Sequence, residues 1–89
     1  MKTILKEELY IKRHQTIELP QNFNILHFDN KGGVPSLWYE CESTMPLVKL
    51  YIYGVGTGSC MDNLPPVTYI GTYLQDGIVC HYYRAIALR

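Results

Sequence analysis

Two β-rich runs, Val67 to Leu74 and Ile78 to Ala87, flank Gln75-Asp76-Gly77. An Asp-Gly pair between such runs closes a tight hairpin, because both residues accept the left-handed backbone that a short turn needs. The same punctuation recurs along the chain at intervals too short for amphipathic helices. Thr16-Ile17-Glu18-Leu19 alternates with period two and is stopped by Pro20, whose ring removes a ladder donor. Asn24 to Asp29 sets Ile25 and His27 on one face and Leu26 and Phe28 on the other, then meets the turn cluster Asn30-Lys31-Gly32-Gly33. In the return strand Leu37, Tyr39 and Cys41 alternate with Trp38, Glu40 and Glu42, with Trp38 as a packing anchor, and Ser43 to Pro46 closes it.

Leu47 to Tyr53 is the clearest strand, with Val48, Leu50 and Ile52 on one face and Lys49, Tyr51 and Tyr53 opposite. Ile4 to Ile11 reads as a first strand, although Lys6-Glu7-Glu8 also allows a short helix there. Gly54 to Pro66 holds three glycines, two prolines and Asp62-Asn63, and is the longest irregular segment. Six or seven strands without linker or repeat predict one all-β domain over residues 1–89, with room for one short helix. The expected architecture is a single antiparallel meander sheet curled into a small barrel or sandwich.

Composition narrows the function classes. Eight Lys and Arg balance eight Asp and Glu, so no basic block exists to neutralise a phosphate backbone, and general nucleic-acid binding is not expected. Little charge repulsion keeps copies apart, which favours self-association, a homodimer being the simplest form. No apolar run approaches the roughly 20 residues that cross a bilayer, and Met1 to Glu8 is too charged for a secretory signal, so the expected location is cytoplasmic. Cys41, Cys60 and Cys80 are an odd, widely spaced set, read as free thiols.

Chemistry-bearing constellations are weak. Gly54-Val55-Gly56-Thr57-Gly58-Ser59 follows a strand like a phosphate-cradling loop, but no Lys follows the glycines, and Pro65-Pro66 stand where a helix would be needed. A structural turn is the competing reading. Cys60, His81 and Asp62 are the residue types of a nucleophile, a base and an orienting carboxylate, yet nothing in their spacing brings them together. Cys41, Cys60, Cys80, His27 and His81 could supply zinc ligands, but no pair has finger spacing. His14, beside Lys12 and Arg13, reads as solvated, and the glutamates as solubilising strand faces. The expectation is a non-enzyme without metal or cofactor.

The tyrosines are more informative. Tyr51, Tyr53, Tyr69, Tyr73, Tyr82 and Tyr83 crowd the strands, and they read either as a recognition face of rigid amphipathic rings or as walls of the core with their hydroxyls reaching water. The expected contact surface comprises Trp38, Tyr51, Tyr53, Tyr69, Tyr73 and Tyr82 with the loop residues Gly56, Thr57, Gly58 and Ser59.

The order of motifs resembles a family of small uncharacterised β-rich proteins of phages and prophages. The resemblance spans most of the chain. It rests on the strand pair ending in Leu19-Pro20, Ile25-Leu26-His27, the Gly-x-Pro-x-Leu-Trp element from Gly33 to Trp38, Tyr53 to Gly58, Tyr69-Ile70-Gly71-Thr72 and a final strand carrying His81. The chain departs from that pattern at Ser59 and Cys80, where a His and an aromatic are common. The resemblance implies an accessory protein without established chemistry. By analogy with small phage proteins, it implies inhibition of a bacterial anti-phage defence system, such as a CRISPR effector, through contact with a host protein. The alternatives are an oligomeric sponge for a signalling nucleotide and a minor phage structural or assembly protein.

Overall fold

The computed structural model describes residues 1–86. Among the described residues seven strands form, in order β1 (Lys2–Glu8), β2 (His14–Pro20), β3 (Asn24–Asp29), β4 (Ser36–Glu42), β5 (Leu47–Val55), β6 (Val67–Gln75) and β7 (Ile78–Ala85), with one 3₁₀ turn at Lys31–Gly33. No helix among the described residues is long and apolar enough to cross a membrane.

All-β is correct, but the single meander sheet is not. The strands divide into a three-stranded sheet of order β1-β4-β3 and a four-stranded sheet of order β2-β5-β7-β6, both antiparallel, with no closed barrel. Only β3-β4 and β6-β7 are hairpins between neighbours in sequence. The last turn behaves as its Asp-Gly pair requires, with positive φ at Asp76 (53°) and Gly77 (79°). The last strand ends at Ala85, short of the predicted Ala87, which itself lies outside the described residues.

Two of the three pairings between strands not adjacent in sequence, β1-β4 and β2-β5, follow from two corners. β1 passes to β2 through Leu9–Arg13, and β4 passes to β5 through Ser43–Pro46, so each connection carries the chain from one sheet to the other. Backbone hydrogen bonds pin each corner on both sides. Leu9 N donates to Pro35 O (2.8 Å) and Gly54 N to Arg13 O (2.9 Å), while Ser43 N donates to Met1 O (3.0 Å) and Gln21 N to Pro46 O (2.8 Å). The first strand therefore stops at Glu8 and does not reach Ile11, since Leu9 must turn into the core, where it is buried. Nor is Lys6-Glu7-Glu8 helical, because the three residues pair with Trp38, Leu37 and Ser36 of β4.

Period-two alternation supplies one core from both inner faces: Ile17 and Leu19 of β2, Leu37, Tyr39 and Cys41 of β4, Leu50 and Ile52 of β5, Tyr73 of β6, and Cys80 and Tyr82 of β7. Each fully buried leucine or isoleucine contributes about 1.5 to 3 kcal/mol. β1 is the exception, with Ile4 59% and Leu5 40% exposed, and ladder pairing with β4 is what holds it. Its charged residues blunt that edge. β5 runs two residues beyond the predicted Tyr53, because Gly54 and Val55 pair with Tyr82 and His81. Glycine is required at position 54, where a Cβ would lie 2.3 Å from Lys12 O and 2.7 Å from Cys80 Sγ.

Candidate functional site

The register of the four-stranded sheet lines up His14, Tyr53, Tyr83 and Tyr69, one from each strand in the order β2-β5-β7-β6. Directly opposed residues share a face, and this row faces away from the core that Ile52 and Tyr82 enter. The His14 and Tyr53 rings lie 5.1 Å apart, and Tyr69 meets Tyr83 edge-on at 5.5 Å. Tyr51, one step down β5 on the same face, stacks on His14 at 6.2 Å with an interplanar angle of 13°. An aromatic band thus crosses the whole sheet, with Tyr69 54% and Tyr51 37% exposed.

A polar cluster adjoins the band in the next row, where Val55, His81 and Thr72 stand in register. His81 Nδ1 is 2.9 Å from Thr72 Oγ1, and His81 Nε2 is 2.7 Å from Thr57 Oγ1. The Tyr69 hydroxyl closes on Thr72 Oγ1. A neutral imidazole has one donor and one acceptor nitrogen, and a hydroxyl satisfies either, so the two threonines fix the ring in place. His81 is thereby a positioned surface group. Thr57 comes from the glycine-containing loop, which Arg13 Nη2 anchors by donating to Cys60 O (3.3 Å).

The predicted contact residues fall into four groups. Tyr51, Tyr53 and Tyr69 share the band, and Thr57 reaches it through His81. Gly56, Gly58 and Ser59 build the adjoining turn, in which Ser59 N donates to Gly56 O (3.0 Å) and Gly58 adopts φ 85°. The structural-turn reading of this loop accounts for its glycines. Trp38 lies on the outer face of the other sheet, half-buried beside His27 (5.9 Å) with Lys6 Nζ over its ring. It is not part of the band.

Tyr73 and Tyr82 are corrections. Both are buried, at 5% and 0% exposure, because they share the inward parity of Leu74's opposite face and of Cys80 respectively. Their hydroxyls satisfy backbone carbonyls at the sheet margins, Tyr73 donating to Gly33 O (3.2 Å) and Tyr82 to Tyr10 O (2.9 Å). Burial pushes the Tyr82 phenol well above its ordinary range and raises Tyr39 as well. The tyrosines therefore divide between the two readings, part face and part core. His14, Tyr83, Thr72 and His81 were not among the predicted contact residues. Parity could have found Tyr83, since it alternates with Cys80 and Tyr82, but the row itself needs the cross-strand register.

Cys60, His81 and Asp62 do not form a catalytic relay. Asp62 N donates to Cys60 Sγ (3.4 Å), and both nitrogens of His81 are taken by hydroxyls. All three cysteines are free, Cys41 and Cys80 buried and Cys60 exposed, and burial raises the Cys80 thiol above its ordinary value. Among the described residues no three His, Cys, Asp or Glu side chains gather as metal ligands.

Fold and face together define a small, open, two-sheet β protein with an aromatic outer surface. Over residues 1–88 the chain matches the family described as a domain of unknown function, DUF7352, and it belongs to that family. No curated protein and no solved structure matches it.

Proposed function

We propose that the chain is a non-enzymatic binding protein whose contact surface is the outer face of the four-stranded sheet. The in-register row His14, Tyr53, Tyr83 and Tyr69 carries this reading. Rings held on paired strands lose little conformational entropy on contact and present both an apolar body and a hydrogen-bonding tip, the properties that concentrate binding energy at protein interfaces. The Thr57, His81 and Thr72 cluster adds fixed polar groups at the rim. The partner is a host protein, and the sequence resemblance to phage accessory proteins supports inhibition of a bacterial defence effector of the CRISPR type.

The test is phage plating on cells that carry a CRISPR effector and express the protein. Plating is expected to rise with the wild-type chain and to fall back with Tyr51→Ala/Tyr69→Ala, with the purified effector binding only the former. Unchanged plating and no effector binding by the wild-type chain would remove the inhibitor reading. Binding that survives the double substitution would remove the face.

A further inference from the structure

The free margins of β3 and β6 run past each other on one side of the sandwich, and both strands carry a bulge there. β3 skips Leu26 between the pairs Ile25-Tyr39 and His27-Trp38, and β6 skips Ile70 between Tyr69-Tyr83 and Gly71-Tyr82. Each extra residue bends its strand and interrupts the ladder. Between them lies a cleft of about 320 Å³, at the lower end of the range for small-ligand sites. Ile25, Leu26, Phe28 and Ile70 supply apolar walls, Tyr69 borders the cleft at the margin of the outer face, and Arg84 lines it from β7.

Arg84 is the feature without a role in the fold's own electrostatics. It is half-buried on the inner side of β7, opposite Thr68, and its guanidinium lies 5.0 Å from the centroid of Phe23. Among the described residues no carboxylate pairs with it. A partly desolvated cation normally has a counter-charge, and burial lowers the Arg84 pKa from its ordinary value. Stacking on Phe23 orients the planar fork and, among the described residues, leaves its N–H donors free, and that fork matches an oxyanion in bidentate fashion.

From this arrangement we propose that the β3/β6 cleft binds a small ligand made of a flat ring bearing an oxyanion, with the anion on Arg84 and the ring between Tyr69 and the Leu26 and Ile70 bulges. Thr68 adds a hydroxyl beside the anion position. Carboxylates and phosphates share the required geometry, and the apolar walls select against a bare inorganic ion. The site is separate from the outer face, touching it only through Tyr69, so neither reading depends on the other.

The experiment is a titration of the labelled protein, followed by amide chemical shifts, with adenosine monophosphate and indoleacetate as probes and adenosine and inorganic phosphate as controls. One or both probes are expected to bind in the sub-millimolar range and to move the amides of Leu26, Ile70 and Arg84, with each control at least about tenfold weaker. Which probe binds distinguishes a phosphate ligand from a carboxylate one. Arg84→Lys keeps the charge and loses the fork, and is expected to weaken binding about tenfold. Leu26→Trp, a change on an exposed bulge, fills the cleft and is expected to do the same if the arginine variant folds poorly. Absence of binding by both probes up to about 10 mM, or binding that is indifferent to the two substitutions, overturns the proposal.

Discussion

Phe28 of β3 rests against the backbone of Gly71 of β6 so closely that a Cβ at position 71 would lie 2.3 Å from its Cδ2 and 2.6 Å from its Cγ. The same ring packs on Tyr82 at 5.5 Å. This contact is where the free margins of the two sheets meet, and it ties Tyr82, the largest fully buried side chain, to the three-stranded sheet. Gly71→Ala is therefore expected to destabilise the protein by about 2 to 3 kcal/mol through overpacking. Phe28→Leu in the same chain should recover part of the loss, since the two changes act on one contact. Urea denaturation of the single and double variants measures both effects. Additive losses would mean that the contact does not couple the sheets.

The corner between β1 and β2 depends on one side chain. The Gln15 carboxamide accepts from Tyr10 N (3.0 Å) and donates to Tyr10 O (2.8 Å), pairing with the main chain as a neighbouring strand would. Tyr82 Oη donates to the same carbonyl. Gln15→Ala is expected to cost about 2 kcal/mol, because Tyr10 N loses its partner and the buried amide leaves a gap. Tyr82→Phe should cost about 1 kcal/mol, since Gln15 still serves Tyr10 O. Amide exchange across residues 9–13 should quicken more in the first variant than in the second.

Much of the local structure was legible in the sequence, and the assembly was not. Alternation located β2, β4 and β5, Pro20 marked the end of β2, and Asp76-Gly77 gave the last hairpin, because these signals lie within one strand or one turn. The pairings of Lys2 with Glu42 and of Pro20 with Leu47 join residues far apart in the chain. Period two is indifferent to which partner a strand takes. That indifference produced the expected meander. It also hid the row, for Tyr53 and Tyr69 carry the face signal separately, while His14 joins them only through the β2-β5 register.

Glu7 offers a test by pH. It opposes Leu37 on the inward side of β1, and partial burial, then the neighbouring Glu8, raises its carboxyl pKa above the ordinary value. A carboxyl whose pKa rises on folding binds more protons in the native state than in the unfolded one. Its contribution is a penalty that is absent below the ordinary carboxylate range and fully present above the raised value. Glu7→Gln is accordingly expected to raise the Tm at pH near 7 and to leave it unchanged at about pH 3. Equal shifts at both values would point to packing and away from charge.

The division of the tyrosines makes the last prediction. Tyr51→Ala and Tyr69→Ala remove exposed rings and are expected to change stability by no more than about 0.5 kcal/mol, whereas Tyr73→Ala and Tyr82→Ala open the core and should cost about 3 to 5 kcal/mol. An alkaline titration followed by phenolate absorbance separates the groups in the unmodified protein. Burial raises the Tyr39 and Tyr82 hydroxyls, so these two should ionise only as the chain unfolds. A phenol whose pKa is raised by burial on folding adds a penalty that is absent below its ordinary value and grows as pH climbs through it, so unfolding should set in above about pH 10. If instead all eight tyrosines ionised in one step at the ordinary value while the fold persisted, Tyr39 and Tyr82 would be solvated, and the assignment of the remaining rings to the contact face would lose its basis.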